Sequence, residues 1–458
     1  MNMLYGTAAA LGAALVFFVW IGLRARTVGG DLDEYLTARN SQSASTLGLS
    51  FLASGLGAWI LFVPPEVGAF VGPLGVAGYA LGAAFPFIVL AWCGPAIRRL
   101  LPQGRSITEY AQARFGTGLR HWVAAISVLY MLCFLTAELT AIGAITSLLS
   151  PLPGSVAVVG VAVATLIYTA WGGLRASLVT DRWQAWLLLA LLVLVLGVAW
   201  QSLPADPKPL VWPSIPVGDA LQVALTLVIA VTAANLFHQG YWQRVWAARD
   251  DRELVRGGWL GGITSVVVVA VVGMVGAWMA GTGRDLGAPP TPFFAMLAES
   301  PSWLAIPALL LAVALVASSV DTLQNGVASL LVTARQGTTL AAARWITVLL
   351  MVPVVVLALQ GISVLRLFLV ADLLCATAVV PVLLGLWRRM TPLAAIGGAV
   401  AGLVGAVLPG WVSHASLAQG LLLASFPTGV PSLAPFLGAL VASSLVSLLL
   451  LVVGRPKV

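Results

Sequence analysis

Charge is scarce in this sequence. Of 458 residues only 9% are Asp, Glu, Lys or Arg, against 60% apolar, and the mean hydropathy is +1.01. That balance argues against a soluble globular domain. Cysteine is nearly absent as well. Cys93, Cys133 and Cys375 each lie in an apolar stretch with no disulfide or metal spacing between them, so they read as small core hydrophobes. The short alternating pattern of an outer-membrane barrel is missing. No basic segment precedes the first apolar run at 4–23, which is therefore expected to be a retained helix and not a cleaved signal. No loop between apolar runs is long enough to fold alone, and no soluble domain is expected after the last one. Residues 1–458 read as a single membrane domain.

What is present is a series of apolar runs of about 20 residues, the length that crosses a hydrocarbon core of about 30 Å. Thirteen spans are expected, near 4–23, 44–71, 74–97, 120–149, 155–172, 178–201, 218–240, 257–281, 303–333, 340–360, 362–386, 392–412 and 433–454. With the N-terminus outside and the C-terminus inside, 20 of the 23 lysines and arginines fall on the inner side, among them Arg244 and its neighbours Arg249, Arg252 and Arg256. Only Lys208, Arg284 and Arg366 fall on or near the outer side. This asymmetry is the positive-inside rule. It also explains the net charge of +7 without a nucleic-acid partner. The class is all-α and polytopic, in the cell (inner or plasma) membrane, with the lipid bilayer as surroundings.

Ionisable groups at membrane depth cost a few kcal/mol each on insertion scales, roughly, so each needs a reason. Glu66, Glu138, Asp181, Asp321 and Asp372 are the acidic cases, with Asn235 and His238 as weaker ones. In ASSVDTLQN (317–325), Ser318, Asp321, Thr322 and Asn325 share one helix face, with Ser319 at its edge. Such a stripe of oxygens suits a hard cation such as sodium. Close helix packing with back-bonding hydroxyls would account for the serines, but not for Asp321. The span at 44–71 carries Gly48, Ser54, Gly55 and Gly57 ahead of Pro64 and Pro65, which invites a broken helix with free carbonyls. By helical rise, Ala53 and Ser318 lie about 15 and 22 Å into helices entering from opposite sides, close enough in depth to meet. Asp181, taken alone, reads as charge compensation at a helix start.

Five segments together resemble the sodium:solute symporter family. They are EYLTARNSQSASTLGLSFLASGLGAW (34–59), ITEYAQARFG (107–116), WGGLRASLVTDRWQ (171–184), QRVWAARDDRE (243–253) and ASSVDTLQN (317–325). The resemblance implies a five-plus-five inverted repeat with broken first and sixth core helices. It would place an extra helix and inner loop at 1–40, the repeats at 41–210 and 211–390, and two closing helices at 391–458. By position it implies a main sodium site made by carbonyls of Ala53, Leu56 and Leu315 with the hydroxyls of Ser318 and Ser319. It implies a second cation or proton site at Asp181, Asp321 and Thr322, hence one Na+ or two. Gly55 departs from the acidic residue of some relatives, and AANLFHQG (233–240) offers no lysine and no sugar-binding cluster.

The expected function is sodium-coupled import of a small organic solute by alternating access. An amine-bearing or zwitterionic solute is favoured over sugar, because Glu66, Glu138 and Asp372 fall on helices that line the outward path in this fold. Gly57, Trp59, Glu66, Glu138, Asn235 and Asp372 are the candidate substrate contacts. The alternatives are proton coupling through Asp181 and Asp321, or a nutrient sensor acting with a separate partner. An intramembrane aspartyl protease lacks its surrounding motifs, so no enzyme is expected.

Overall fold

The computed structural model describes residues 3–25, 31–201, 215–287, 290–298, 300–334, 339–360, 365–426 and 432–453. Arg26, Lys208, Arg335, Arg455 and Lys457, used above for orientation, and the expected repeat boundary at 210/211 lie outside the described residues, as does the side chain of Arg366. The described part is helical, and its one β-type pairing is an isolated bridge between Gln42 and Ala248.

The chain begins with α1 (Met3–Ala25) and the short α2 (Leu32–Thr37). The first core helix is split into α3 (Ala44–Gly55), a 3-10 turn at Ala58–Leu61 and α4 (Val63–Val71), with a bend of 62° at the break. Next come α5 (Pro73–Leu100), α6 (Ile107–Phe115), α7 (Thr117–Leu149) and α8 (Gly154–Gln201). The sixth core helix is also split, into α9 (Val217–Asn235) and α10 (Gln239–Ala247). The remainder is α11 (Asp251–Gly281), α12 (Pro292–Ala298), α13 (Ala305–Ala334), α14 (Leu340–Leu359), α15 (Leu365–Leu383), α16 (Pro392–His414), α17 (Leu417–Ala424) and α18 (Leu433–Val453).

Among the described residues eleven helices are long and apolar enough to cross a membrane, or twelve with the bent α3/α4 pair. The 48-residue α8 changes direction at Gly173, where φ is +57°. At 1.5 Å per residue α8 would be about 72 Å long, more than twice a bilayer core. Counted as two legs it brings the total to thirteen. Only glycine suits Gly173, because its backbone is left-handed and a Cβ there would collide with the Tyr35 carbonyl.

Helix starts follow the sequence. Ser43, Ser106, Asp250, Thr339 and Thr391 each accept a backbone N–H of the first turn they precede. α13 is the buried axis of the bundle, packed against α7, α8 and α3. At one end of the bundle, charges tie short elements together. Arg39 forks onto Asp33 at 2.8 Å, Arg105 reaches the same carboxylate at 2.8 Å, and Arg175 reaches Glu34 at 3.0 Å. Burial pushes the Asp33 carboxyl upward, but the hydrogen bonds from Arg39 and Arg105 outweigh it and hold the group below its ordinary value of 3.8.

Candidate functional site

α3 ends where the sequence runs Ser-Gly-Leu-Gly. Leu56 turns out of the helix (φ −109°, ψ 92°) and its N–H still reaches the Leu52 carbonyl at 3.1 Å. The carbonyls that follow have no further helical turn to bond them. α13 packs against this end with Leu315, Ser318 and Ser319 all buried. Ser319 Oγ is buried and has no hydrogen-bond partner. Ser318 donates its proton to Asp181 Oδ1, which leaves the lone pairs of its own oxygen free. An orphaned hydroxyl and a hydroxyl with free lone pairs, at the carbonyl end of a broken helix, form a donor set that fits a hard monovalent cation.

The second cluster differs from expectation. Arg244 was counted among inner-loop charges, yet it is fully buried on α10 and sits between the residues assigned to a second cation. Its guanidinium bonds Asp181 Oδ2 at 2.8 Å, Ser50 Oγ at 2.8 Å, Thr322 Oγ1 at 3.0 Å and the Gly240 carbonyl at 2.6 Å. Asp181 and Thr322 therefore already face a fixed cation belonging to the protein. Asp321, next to Thr322 in the chain, is held by hydroxyls. It accepts from Tyr168 at 2.6 Å, Ser177 at 2.6 Å, Thr180 at 3.1 Å and Thr322 at 3.3 Å. Asn325, on the same face, bonds only the Asp321 carbonyl, at 3.0 Å.

A cavity of about 370 Å³ runs along α4 from the break toward Val71, walled by α5, α7, α9 and α15. Trp59, Glu66, Asn235 and Asp372 of the expected substrate contacts all line it. Sequence reasoning missed its aromatic wall, made of Tyr79, Tyr130, Phe134 and Phe368. Trp59 stacks on Tyr79 with ring centres 5.2 Å apart, and Tyr130 donates to Asn235 Oδ1 at 3.1 Å. Asp372 is only 8% exposed, and its Oδ1 is buried without a partner. Glu66 is exposed at the cavity wall. No lysine or arginine is among the described residues that line the cavity.

Gly57 and Glu138 stand elsewhere. Glu138 turns its carboxylate to the break, where Oε2 accepts the Ala58 N–H at 2.7 Å. A Cβ on Gly57 would strike that carboxylate, so glycine is what lets Glu138 in. Both residues back the cavity wall and do not line it. His238, a weaker sequence candidate, fills the second break and stacks on Tyr241 with ring centres 4.1 Å apart.

The model of the Sodium:solute symporter family matches residues 35–207, the stretch that holds the first break, Glu138 and Asp181. Over that stretch, under half of its length, the chain resembles the sodium:solute symporter family. Its whole length superposes on a sodium-coupled sialic acid symporter, with a TM-score of 0.75 at 15% identity and 98% of each chain covered. Mhp1, a nucleobase-cation-symport-1 family transporter, gives a TM-score of 0.54 at 14% identity over 94% of this chain and 97% of that one. These two likenesses carry the shared fold, an inverted repeat with two broken helices. Among curated proteins, the spermidine transporter DUR31 of Candida albicans is 27% identical over 399 residues, 84% of this chain and 77% of its own. A putative sodium-dependent multivitamin transporter of Drosophila melanogaster is 31% identical over 209 residues, which span 42% of this chain and 32% of that protein. The apolar helices make the chain a multi-pass membrane protein, and these likenesses support a sodium-coupled transporter of a small solute.

Proposed function

We propose that this symporter imports a small amine-bearing organic solute by alternating access. The observation that carries the reading is Asp372, a carboxylate with an unpartnered oxygen in an aromatic-walled cavity that it shares with Glu66. A buried carboxylate without a partner is costly, and a substrate ammonium group is the partner that would remove the cost. Trp59, Tyr79 and Tyr130 add ring faces that favour a cation. The spermidine relative, whose named substrate is an amine, agrees in class.

In this reading the carbonyls of Ala53, Leu56 and Leu315 hold sodium together with Ser318 and Ser319. The ion links α3 to α13, and α3 ends at the cavity floor beside Gly55. Sodium and solute then favour the same conformation, each raising the affinity of the other by the same factor. A second reading, for the other cluster only, is favoured by Arg244. Because a guanidinium already compensates Asp181, a proton on Asp321 is a better second coupling particle than a second sodium. The test is a thermal-shift screen of purified protein against amines, amino acids, carboxylates and sugars, with and without sodium. Stabilisation by amines that requires sodium is expected; stabilisation by sugars or carboxylates alone would contradict the reading.

A further inference from the structure

A break in a membrane helix exposes two kinds of backbone group. The carbonyls at the end of the first half suit a cation. The N–H groups opening the second half suit an anion, and in transporters with broken helices this is the place where an anionic group of the substrate is received. Here the Ala58 N–H is already taken by the carboxylate of Glu138, which reaches across from α7 and is 1% exposed. The space it needs is kept open by Gly57. Gly55 and Trp59, on either side of this point, line the solute cavity.

We infer that Glu138 stands in for a substrate carboxylate and makes the cavity selective for amines that carry none. The inference rests on the amine reading above and sharpens it, since it separates simple amines from amino acids. An amino acid entering with its ammonium at Asp372 would bring its carboxylate toward three acidic residues, namely Glu66, Glu138 and Asp372. The Ala58 N–H, a backbone donor that could have received that group, is engaged by Glu138. A diamine meets none of this opposition, and its second ammonium can meet Glu66. Glu138 itself does not touch the solute. It acts as a specificity-positioning residue through the break.

The experiment compares compounds that differ by one carboxylate: putrescine against ornithine, cadaverine against lysine, and agmatine against arginine. Their affinities for the full chain in lipid nanodiscs are measured by scintillation proximity at saturating sodium. Juxtaposed like charges are strongly disfavoured, so each amine should bind at least about tenfold more tightly than its amino acid. Glu138→Gln keeps the shape and one acceptor for the break but removes the charge, and it should reduce that ratio by severalfold. A purely structural role would lower both affinities together and leave the ratio unchanged, so the ratio is the decisive readout. Glu138→Asp, which retains the charge, should keep the wild-type preference. Equal or tighter binding of the amino acids by the wild type overturns the inference even if no variant folds. An amine preference unmoved in Glu138→Gln overturns the role of Glu138 while leaving the amine reading intact. Binding of neither member of any pair overturns both.

Discussion

Replacing Arg244 by Gln removes a guanidinium that is fully buried and makes four hydrogen bonds, at 2.6 to 3.0 Å, to Gly240, Asp181, Ser50 and Thr322. Asp181 keeps only the hydroxyls of Ser50 and Ser318, so a buried carboxylate is left without a counter-charge. Removing one partner of a buried pair costs about 3–5 kcal/mol, most of it the penalty of the stranded charge. Glutamine recovers little, because it cannot span the four acceptors that the planar fork reaches. Reversible unfolding in mixed micelles should therefore show Arg244→Gln and Asp181→Asn each well below wild type. The double variant should lie much closer to wild type than the sum of the two losses. Arg244→Gln within about 1 kcal/mol of wild type, or strictly additive losses, would refute the claim that Arg244 is the cation compensating Asp181.

Other outcomes can be stated more briefly. Ser319→Ala deletes an unpartnered buried hydroxyl, so stability should hold or rise slightly while the sodium needed for half-maximal solute binding rises by about tenfold or more. Sodium titration of solute binding measures this; an unchanged sodium requirement would remove Ser319 from the ion site. Asp372→Asn should weaken amine binding by about tenfold or more, whereas Glu66→Gln, at an exposed position, should cost less. Equilibrium binding of a labelled diamine gives that order. Asp33→Asn should cost at most about 1 kcal/mol, because its partners are partly exposed. The folded-state value of Asp33 lies below 3.8, so this contribution is complete above the unfolded value and is lost as pH falls through the folded one. Unfolding curves for wild type and Asp33→Asn should therefore differ at neutral pH and converge in strong acid.

Local sequence carried the spans and the first break, while the second came only with the family resemblance. Apolar runs of membrane length and the glycines before Pro64 and Pro65 are signals confined to a few neighbouring residues. The oxygen stripe on α13 was visible for the same reason, since helical spacing alone puts Ser318, Asp321 and Thr322 together. Arg244 was misread because its neighbours Arg249, Asp250, Asp251 and Arg252 are loop-like charges. The signal against that reading was the pair Trp242 and Trp246, two large apolar residues on a nine-residue helix that is buried all round. Glu138 was legible as a membrane-buried carboxylate but not as the partner of Ala58. They are 80 residues apart, and no periodicity connects two helices across a bundle. The aromatic wall escaped notice for a similar reason, because Tyr79, Tyr130 and Phe368 come from three different helices.

The most direct measurement is uptake of a labelled diamine into proteoliposomes with an inward sodium gradient and pH clamped equal on both sides. Accumulation above the external concentration that collapses with a sodium ionophore is the predicted result. Accumulation that persists without sodium and follows an imposed pH gradient would contradict sodium as the ion held between α3 and α13.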